Sequence, residues 1–317
     1  MRVQVPPIKC QGIKTKLVPT ILREIERDPA GVWVEPFLGS GVVALNVAPR
    51  RALLADSNPH LIRFYQAVKD GAVDGSKTRR YLEREGDLLA NRGQDHYYHV
   101  RDRFNSSGDP LDFLFLNRSC FNGVIRFNKR GGFNVPFGHK PQRFAPAYIT
   151  KIVNQVECFR AATELFDWRF ACQDYRITLG EVREGDYVYC DPPYVGRHVD
   201  YYDSWDEESE TSLYERLRKN PCRFMLSTWH SNEYRTNVYL QTLWGTFEIS
   251  TQEHFYHVGA RETNRKPMLE ALVTNHVRAS PREEHERSDE QLMLFERSGW
   301  YVGSGARSAA DDRMNDV

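Results

Sequence analysis

The sequence predicts an α/β chain built on a doubly wound, parallel sheet that is interrupted by a basic, helix-rich insertion. Three observations predict it. Short apolar runs alternate with segments of helical period in the first part of the chain, such runs return beyond residue 170, and the stretch between them has a different rhythm and charge.

In order, a helix-like pattern runs from Ile8 to about Arg27, with Leu17, Ile21, Leu22 and Ile25 at helical spacing, and Asp28-Pro29-Ala30-Gly31 ends it. Val32-Trp33-Val34 reads as a strand. It enters the glycine turn Glu35-Pro36-Phe37-Leu38-Gly39-Ser40-Gly41, after which Val42-Val43-Ala44-Leu45 opens a helix. A second strand, Ala52-Leu53-Leu54-Ala55, ends at Asp56, and Leu61 to Val68 is again helical in spacing. From about Gly71 to Arg103 the charged, tyrosine-rich sequence predicts helices outside the sheet. Between 112 and 151 stand Arg118, Arg126, Lys129, Arg130, Lys140, Arg143 and Lys151 against the single acid Asp112, interleaved with Phe121, Phe127, Phe133 and Phe137. Phe170-Ala171-Cys172, Tyr187-Val188-Tyr189-Cys190, Phe224-Met225-Leu226 and Ala271-Leu272-Val273 complete the predicted sheet, with a helix from about Glu207 to Lys219. After Ala279 the polar composition predicts a mobile tail. The expected division is therefore a discontinuous sheet domain (1–68 and 150–278), an inserted domain (69–149) and a tail (279–317).

Composition narrows the class. The 317 residues suit roughly two domains at about 150 residues each, and 40% hydrophobic with 27% charged residues excludes wholesale disorder and fibrous repeats. Lysine plus arginine balance aspartate plus glutamate at 43 each, so binding to a polyanion must use a local patch. The six cysteines are scattered without a Cys-x-x-Cys pair, which argues against structural zinc and for a reduced compartment. No apolar run approaches a membrane span and no export signal opens the chain, so a cytoplasmic location is expected.

Two motifs carry chemistry. Gly39-Ser40-Gly41 follows a strand and opens a helix, where missing side chains let backbone approach a ligand, and Asp56 ends the next strand, where an acid can accept ribose hydroxyls. The full Gly-x-Gly-x-x-Gly pattern is absent, and alone the turn is weak evidence. Asp191-Pro192-Pro193-Tyr194 directly follows an apolar strand and so faces the same crevice. Its prolines remove two N–H donors and leave carbonyls to accept, Asp191 adds a charged acceptor, and Tyr194 offers a flat face. Such a group suits an amino group on an aromatic ring.

With these residues in place, the chain resembles the Dam-like family of adenine-specific DNA methyltransferases. The matches run in family order: Lys9-Cys10-Gln11-Gly12-Ile13-Lys14, Glu35 to Gly41, Asp56-Ser57-Asn58-Pro59, Asn117-Arg118-Ser119-Cys120-Phe121-Asn122-Gly123, Arg126-Phe127-Asn128, Phe133-Asn134-Val135-Pro136-Phe137-Gly138, Asp174-Tyr175, Asp191 to Tyr194, and a final strand Glu270-Ala271-Leu272-Val273-Thr274-Asn275. The resemblance implies a Rossmann-like, S-adenosylmethionine-dependent methyltransferase fold with an inserted, mostly helical DNA-recognition domain carrying a β-hairpin. It implies a cofactor pocket of Cys10, Lys14, Glu35, Pro36, Phe37, Gly39, Gly41, Asp56, Asp174, Tyr175 and Asp191, no metal, and catalysis by Asp191, Pro192, Pro193 and Tyr194. Two positions depart, since the family usually has tryptophan at Cys10 and glycine at Ile13.

The same resemblance implies double-stranded DNA as partner, held by Lys9, Arg118, Asn122, Val124, Arg126, Asn128, Lys129, Arg130 and Pro136. Arg126 matches an arginine that reads guanine in GATC-specific relatives, and Val124 and Pro136 match contacts to thymine methyls. It implies methylation of the 6-amino group of a flipped adenine in GATC or a related GAT-containing site. The enzyme would act in a bacterial, archaeal or phage-infected cell, alone or beside a restriction endonuclease for the same site. Methylation of cytosine's 4-amino group or of RNA adenine, and a non-catalytic DNA-binding regulator, are the alternatives. His230 reads as structural rather than as a base, and Met293-Leu294-Phe295 carries no assigned function.

Overall fold

Strands β1 (Trp33–Glu35), β2 (Arg51–Asp56), β3 (Asp167–Cys172), β4 (Tyr187–Cys190), β5 (Arg223–Ser231), β6 (Glu248–Phe255) and β7 (Pro267–Thr274) form one sheet in the order β3-β2-β1-β4-β5-β7-β6. The structure, a computed structural model, describes residues 3–25, 31–195, 205–231, 235–255 and 267–276. The end of the first predicted helix, the tail beyond 279 and Met293-Leu294-Phe295 lie outside the described residues.

The sheet is not wholly parallel. β1 pairs in parallel with β2 and β4, β2 with β3, and β4 with β5, but β7 runs antiparallel to both β5 and β6. Fewer residues separate β6 from β7 than the dozen or so that a parallel crossover needs, so these two strands pair antiparallel. The sequence reading missed β6 because residues Glu248 to Thr251 are all exposed on an edge strand and leave no buried period to detect.

Alternation along the strands sends side chains into two cores. Trp33, Leu54, Tyr187, Tyr189, Met225 and Leu272 point to one cluster, while Val34, Leu53, Val188, Cys190, Phe224, Leu226 and Val273 point to the other. All four residues of β4 are buried, as a central parallel strand covered on both faces requires. The first cluster includes α2 (Val42–Val47), α3 (Pro59–Lys69) and α7 (Pro146–Leu165); the second includes α8 (Tyr175–Gly180), α9 (Glu207–Lys219) and the short α10 (Tyr239–Thr242). α9 matches its predicted range. Asp206 caps it by accepting from Ser209 N at 2.9 Å, with acids in its first turn and bases in its last.

The first helix is shorter than its periodicity suggested. α1 spans only Val18–Glu24, because Pro19 lacks an N–H and is tolerated only in a first turn. Residues 8–17 form an extended loop instead. The insertion holds α4 (Gly75–Arg92), α5 (Gln94–Ser107) and α6 (Pro110–Ser119), as expected for helices outside the sheet. α7 begins at Pro146. Between α6 and α7, the antiparallel bridges Phe127↔Phe133 and Cys120↔Phe137 shape the hairpin. Asn105 of α5 clamps it, accepting from Phe133 N at 2.7 Å and donating to Phe133 O at 3.2 Å.

Candidate active site

The sheet order reverses between β1 and β4, since the chain leaves β1 toward β2 and β3 on one side and β4 toward β5 on the other. Ligands of doubly wound sheets lie in the crevice at such a point, outside the carboxyl ends of the strands. The Glu35–Gly41 loop follows β1 and Asp191 follows β4, so the two sequence motifs meet there.

On the β1 side, the loop is tied to β2. Leu38 N donates to Ala55 O at 2.8 Å, and Gly39 N donates to one Asp56 oxygen at 2.9 Å while Asn58 N donates to the other at 2.9 Å. Gly39 has φ +51, and a Cβ placed on it would meet nothing within 4 Å, so this backbone borders open space. Gly41 takes φ +70 to start α2. Phe37 is half-buried and stacks on Tyr175 at 5.3 Å. Glu35 and Pro36 are instead buried behind the loop. Glu35 accepts from Trp33 Nε1 at 2.8 Å, and burial pushes its carboxyl up to about 8. In this arrangement its side chain braces the loop. Tyr175 is 6% exposed, gives its hydroxyl to Ser209 O at 3.2 Å and stacks on Phe37. Asp174 caps α8 through Arg176 N at 2.7 Å and stays half-exposed. Cys10 is half-buried, and its thiol is held up by burial and by the charges of Asp56 and Asp191.

On the β4 side, Lys14 reaches from the loop before α1 into the crevice floor. Its ammonium lies 3.2 Å from Asp191 Oδ1, donates to the Tyr194 hydroxyl at 2.5 Å and stands 4.8 Å from the centre of that ring. The Tyr194 hydroxyl in turn donates to Glu270 Oε2 at 2.7 Å. Asp191 keeps a quarter of its side chain exposed, whereas Lys14 and Tyr194 are buried. Burial raises the Asp191 carboxyl to about 6, with Glu270 pushing the same way and Lys14 opposing both. Pro192 is buried and Pro193 half-buried beside it.

The hairpin between α6 and α7 presents Asn122, Asn128, Lys129, Arg130 and Pro136 as exposed residues. Arg126 is half-buried and oriented by Asn134, to whose side chain Nε donates at 2.8 Å and whose carbonyl accepts from the guanidinium at 3.1 Å. Lys9 is half-buried, and burial lowers its ammonium to about 8, helped by the neighbouring Arg143 and Arg118 and opposed by Tyr148. Two of the residues expected at the DNA, Arg118 and Val124, are buried. Arg118 is 3% exposed, with Nε donating to Pro7 O at 2.7 Å and a terminal nitrogen to Gln155 Oε1 at 2.5 Å, so its guanidinium joins α6 to α7 and the N-terminal segment. Val124, 8% exposed, packs in the core beneath the hairpin.

The sequence profile of the D12 class N6 adenine-specific DNA methyltransferases matches residues 11–258. The chain belongs to this family. A DNA adenine methylase of Escherichia coli K12 is 34% identical over 97% of this chain and 93% of its own length. One from Serratia marcescens is 34% identical over 73% of the chain and 86% of its own, and one from Vibrio cholerae 36% over 62% and 67%. An rRNA methyltransferase structure from Streptomyces viridochromogenes aligns at a TM-score of 0.36 and 12% identity over 83% of this chain and 82% of that one, too slight to carry an argument. The chain is thus a methyltransferase of Rossmann-like fold, and the regulator alternative falls away. Within this family site, the sequence reading gave no role to Glu270, Asn134 or Asn105. Only Glu270 left a signal, a lone acid within an apolar strand.

Proposed function

We propose that this enzyme transfers the methyl group of S-adenosylmethionine to the 6-amino group of an adenine flipped out of duplex DNA, in GATC or a longer GAT-containing palindrome. The observation that carries the reading is Asp191, an exposed-edged acid at the carboxyl end of β4, facing the Gly39 loop and Asp56 across the switch point. The residues present fit the cofactor. Gly39 borders open space a side chain would fill, Asp56 is fixed by two backbone donors with its oxygens toward the loop, and Phe37 offers a half-exposed ring. Asp56 would hold the ribose, Phe37 and Asp174 the adenine end, and Cys10 the span between the acids.

Bound S-adenosylmethionine supplies an electrophilic methyl on its sulfonium. Asp191, ionised above about pH 6, accepts an N–H of the target amine and turns the nitrogen lone pair toward that methyl. The Pro192 carbonyl accepts the second N–H, and Tyr194, its hydroxyl held by Lys14 and Glu270, fixes the ring face against which the base rests. Residues 69–149 serve recognition of the duplex, and the enzyme works in the cytoplasm. The test is to incubate purified protein with labelled S-adenosylmethionine and unmethylated DNA, then identify the nucleoside by mass spectrometry and the site by single-molecule sequencing. The expected product is 6-methyladenine within GAT-containing sites; 4-methylcytosine or unmethylated DNA refutes the reading.

Arg126 is oriented by its two bonds to Asn134, so Arg126→Ala is expected to lose about 1–3 kcal/mol of discrimination at one guanine. Methylation rates on single-base variants of the site check this, and unchanged discrimination refutes the role.

A further inference from the structure

Glu270 is a charge in the wrong company. It sits in β7 beside Ala271, Leu272 and Val273, is 1% exposed, and pairs in register with the uncharged Trp229 of β5 and Gln252 of β6. An ionised carboxylate so placed needs partners to offset its desolvation. It finds them in distant segments: the Tyr194 hydroxyl at 2.7 Å and the Lys14 ammonium at 3.8 Å. Lys14 therefore lies between two acids, 3.2 Å from Asp191 and 3.8 Å from Glu270.

We propose that Glu270 is a positioning residue for methyl transfer, drawing on the Lys14 ammonium and anchoring Tyr194 so that Asp191 remains a strong acceptor for the target amine. The proposal rests on the reading of Asp191 as that acceptor. An ammonium committed to Asp191 alone would weaken the acid as an acceptor; a second carboxylate on the same cation offsets this. The groups facing the cluster are Lys14 and Cys10 from the N-terminal loop, Glu35 from β1, Tyr189 from β4, and Asp191 and Tyr194 after it. Among them Lys14 holds the Asp191 carboxyl down while Glu270 pushes it up, in keeping with the opposed roles.

Glu270→Gln keeps the shape and an acceptor for the Tyr194 hydroxyl while removing the charge. It is expected to fold, to lose roughly 10- to 100-fold in kcat with little change in KM for DNA, and to move the acidic limb of the kcat/KM profile down by about one pH unit. The Asp191 carboxyl carbon, isotope-labelled and followed by NMR without turnover, is expected to titrate lower by the same amount. Glu270→Asp, which keeps the charge but withdraws it from the Tyr194 hydroxyl, is expected to hold the limb near its parental position and to lose kcat; should the glutamine variant fail to fold, a parental kcat in Glu270→Asp overturns the anchoring role. A limb present in the parent and unmoved in Glu270→Gln overturns the role of Glu270 alone. A parent without an acidic limb, or an active Asp191→Asn enzyme, overturns the reading of Asp191 and the proposal with it.

Discussion

Asp191→Ala is expected to abolish methyl transfer, by roughly three orders of magnitude or more, while DNA binding stays measurable. The side chain is the one acid at the β4 terminus that combines an exposed edge with a buried body, and no neighbour can replace it, because Glu270 lies buried in the sheet behind Tyr194. Its titration gives the same prediction a pH axis. The folded carboxyl stands at about 6, above its ordinary value, so the accepting, ionised form is lost as pH falls through 6 and the rate falls with it. The sign for stability is the reverse of the usual carboxylate. Ionising this buried acid opposes folding above its unfolded pKa, so Asp191→Asn should melt no lower than the parent at pH 7.5. Turnover near the parental rate in Asp191→Ala, or an inactive variant that has also lost its fold by circular dichroism, would refute the assignment of the chemistry to this residue.

Legibility in the sequence followed burial. β4 and α9 were read to the residue because one is a continuous apolar run and the other carries a cap, a graded charge pattern and a regular stripe. The crevice motifs were legible for a related reason: Gly39, Asp56 and Asp191 to Tyr194 each follow a strand directly, so their place at the carboxyl edge follows from order along the chain. β6 was illegible because an exposed edge strand has no periodic signal, and the reversal of β7 depends on a pairing that no local pattern encodes. The same limit holds for the orientation of a side chain within a motif. Glu35, Tyr175 and Arg118 stand inside the right motifs, but whether a side chain faces the ligand or the core is decided by partners far along the chain, such as Ser209 for Tyr175 and Gln155 for Arg118. Glu270 shows the converse, a site residue whose partners Lys14 and Tyr194 are brought to it only by the assembled fold.

Arg118→Ala is expected to destabilise the protein by about 3 kcal/mol, lowering Tm by roughly 5 °C, because it leaves the buried Pro7 carbonyl and Gln155 oxygen without their donor and opens space between α6 and α7. Arg118→Lys should recover little, since one ammonium cannot reproduce the fork that bonds both groups at once. The guanidinium also stacks near Tyr148, 5.9 Å from the ring centre, and contacts the segment that leads into Lys9 and the Lys14 loop. Damage here should therefore spread to the crevice and lower cofactor affinity. Salt dependence separates this role from a DNA contact. A lost phosphate contact would reduce the slope of log K for DNA against log salt by about 0.9, whereas a buried strut leaves the slope unchanged at temperatures where the variant is folded. A normal Tm with a shallower slope would return Arg118 to the DNA face and require the α6–α7 junction to open on binding.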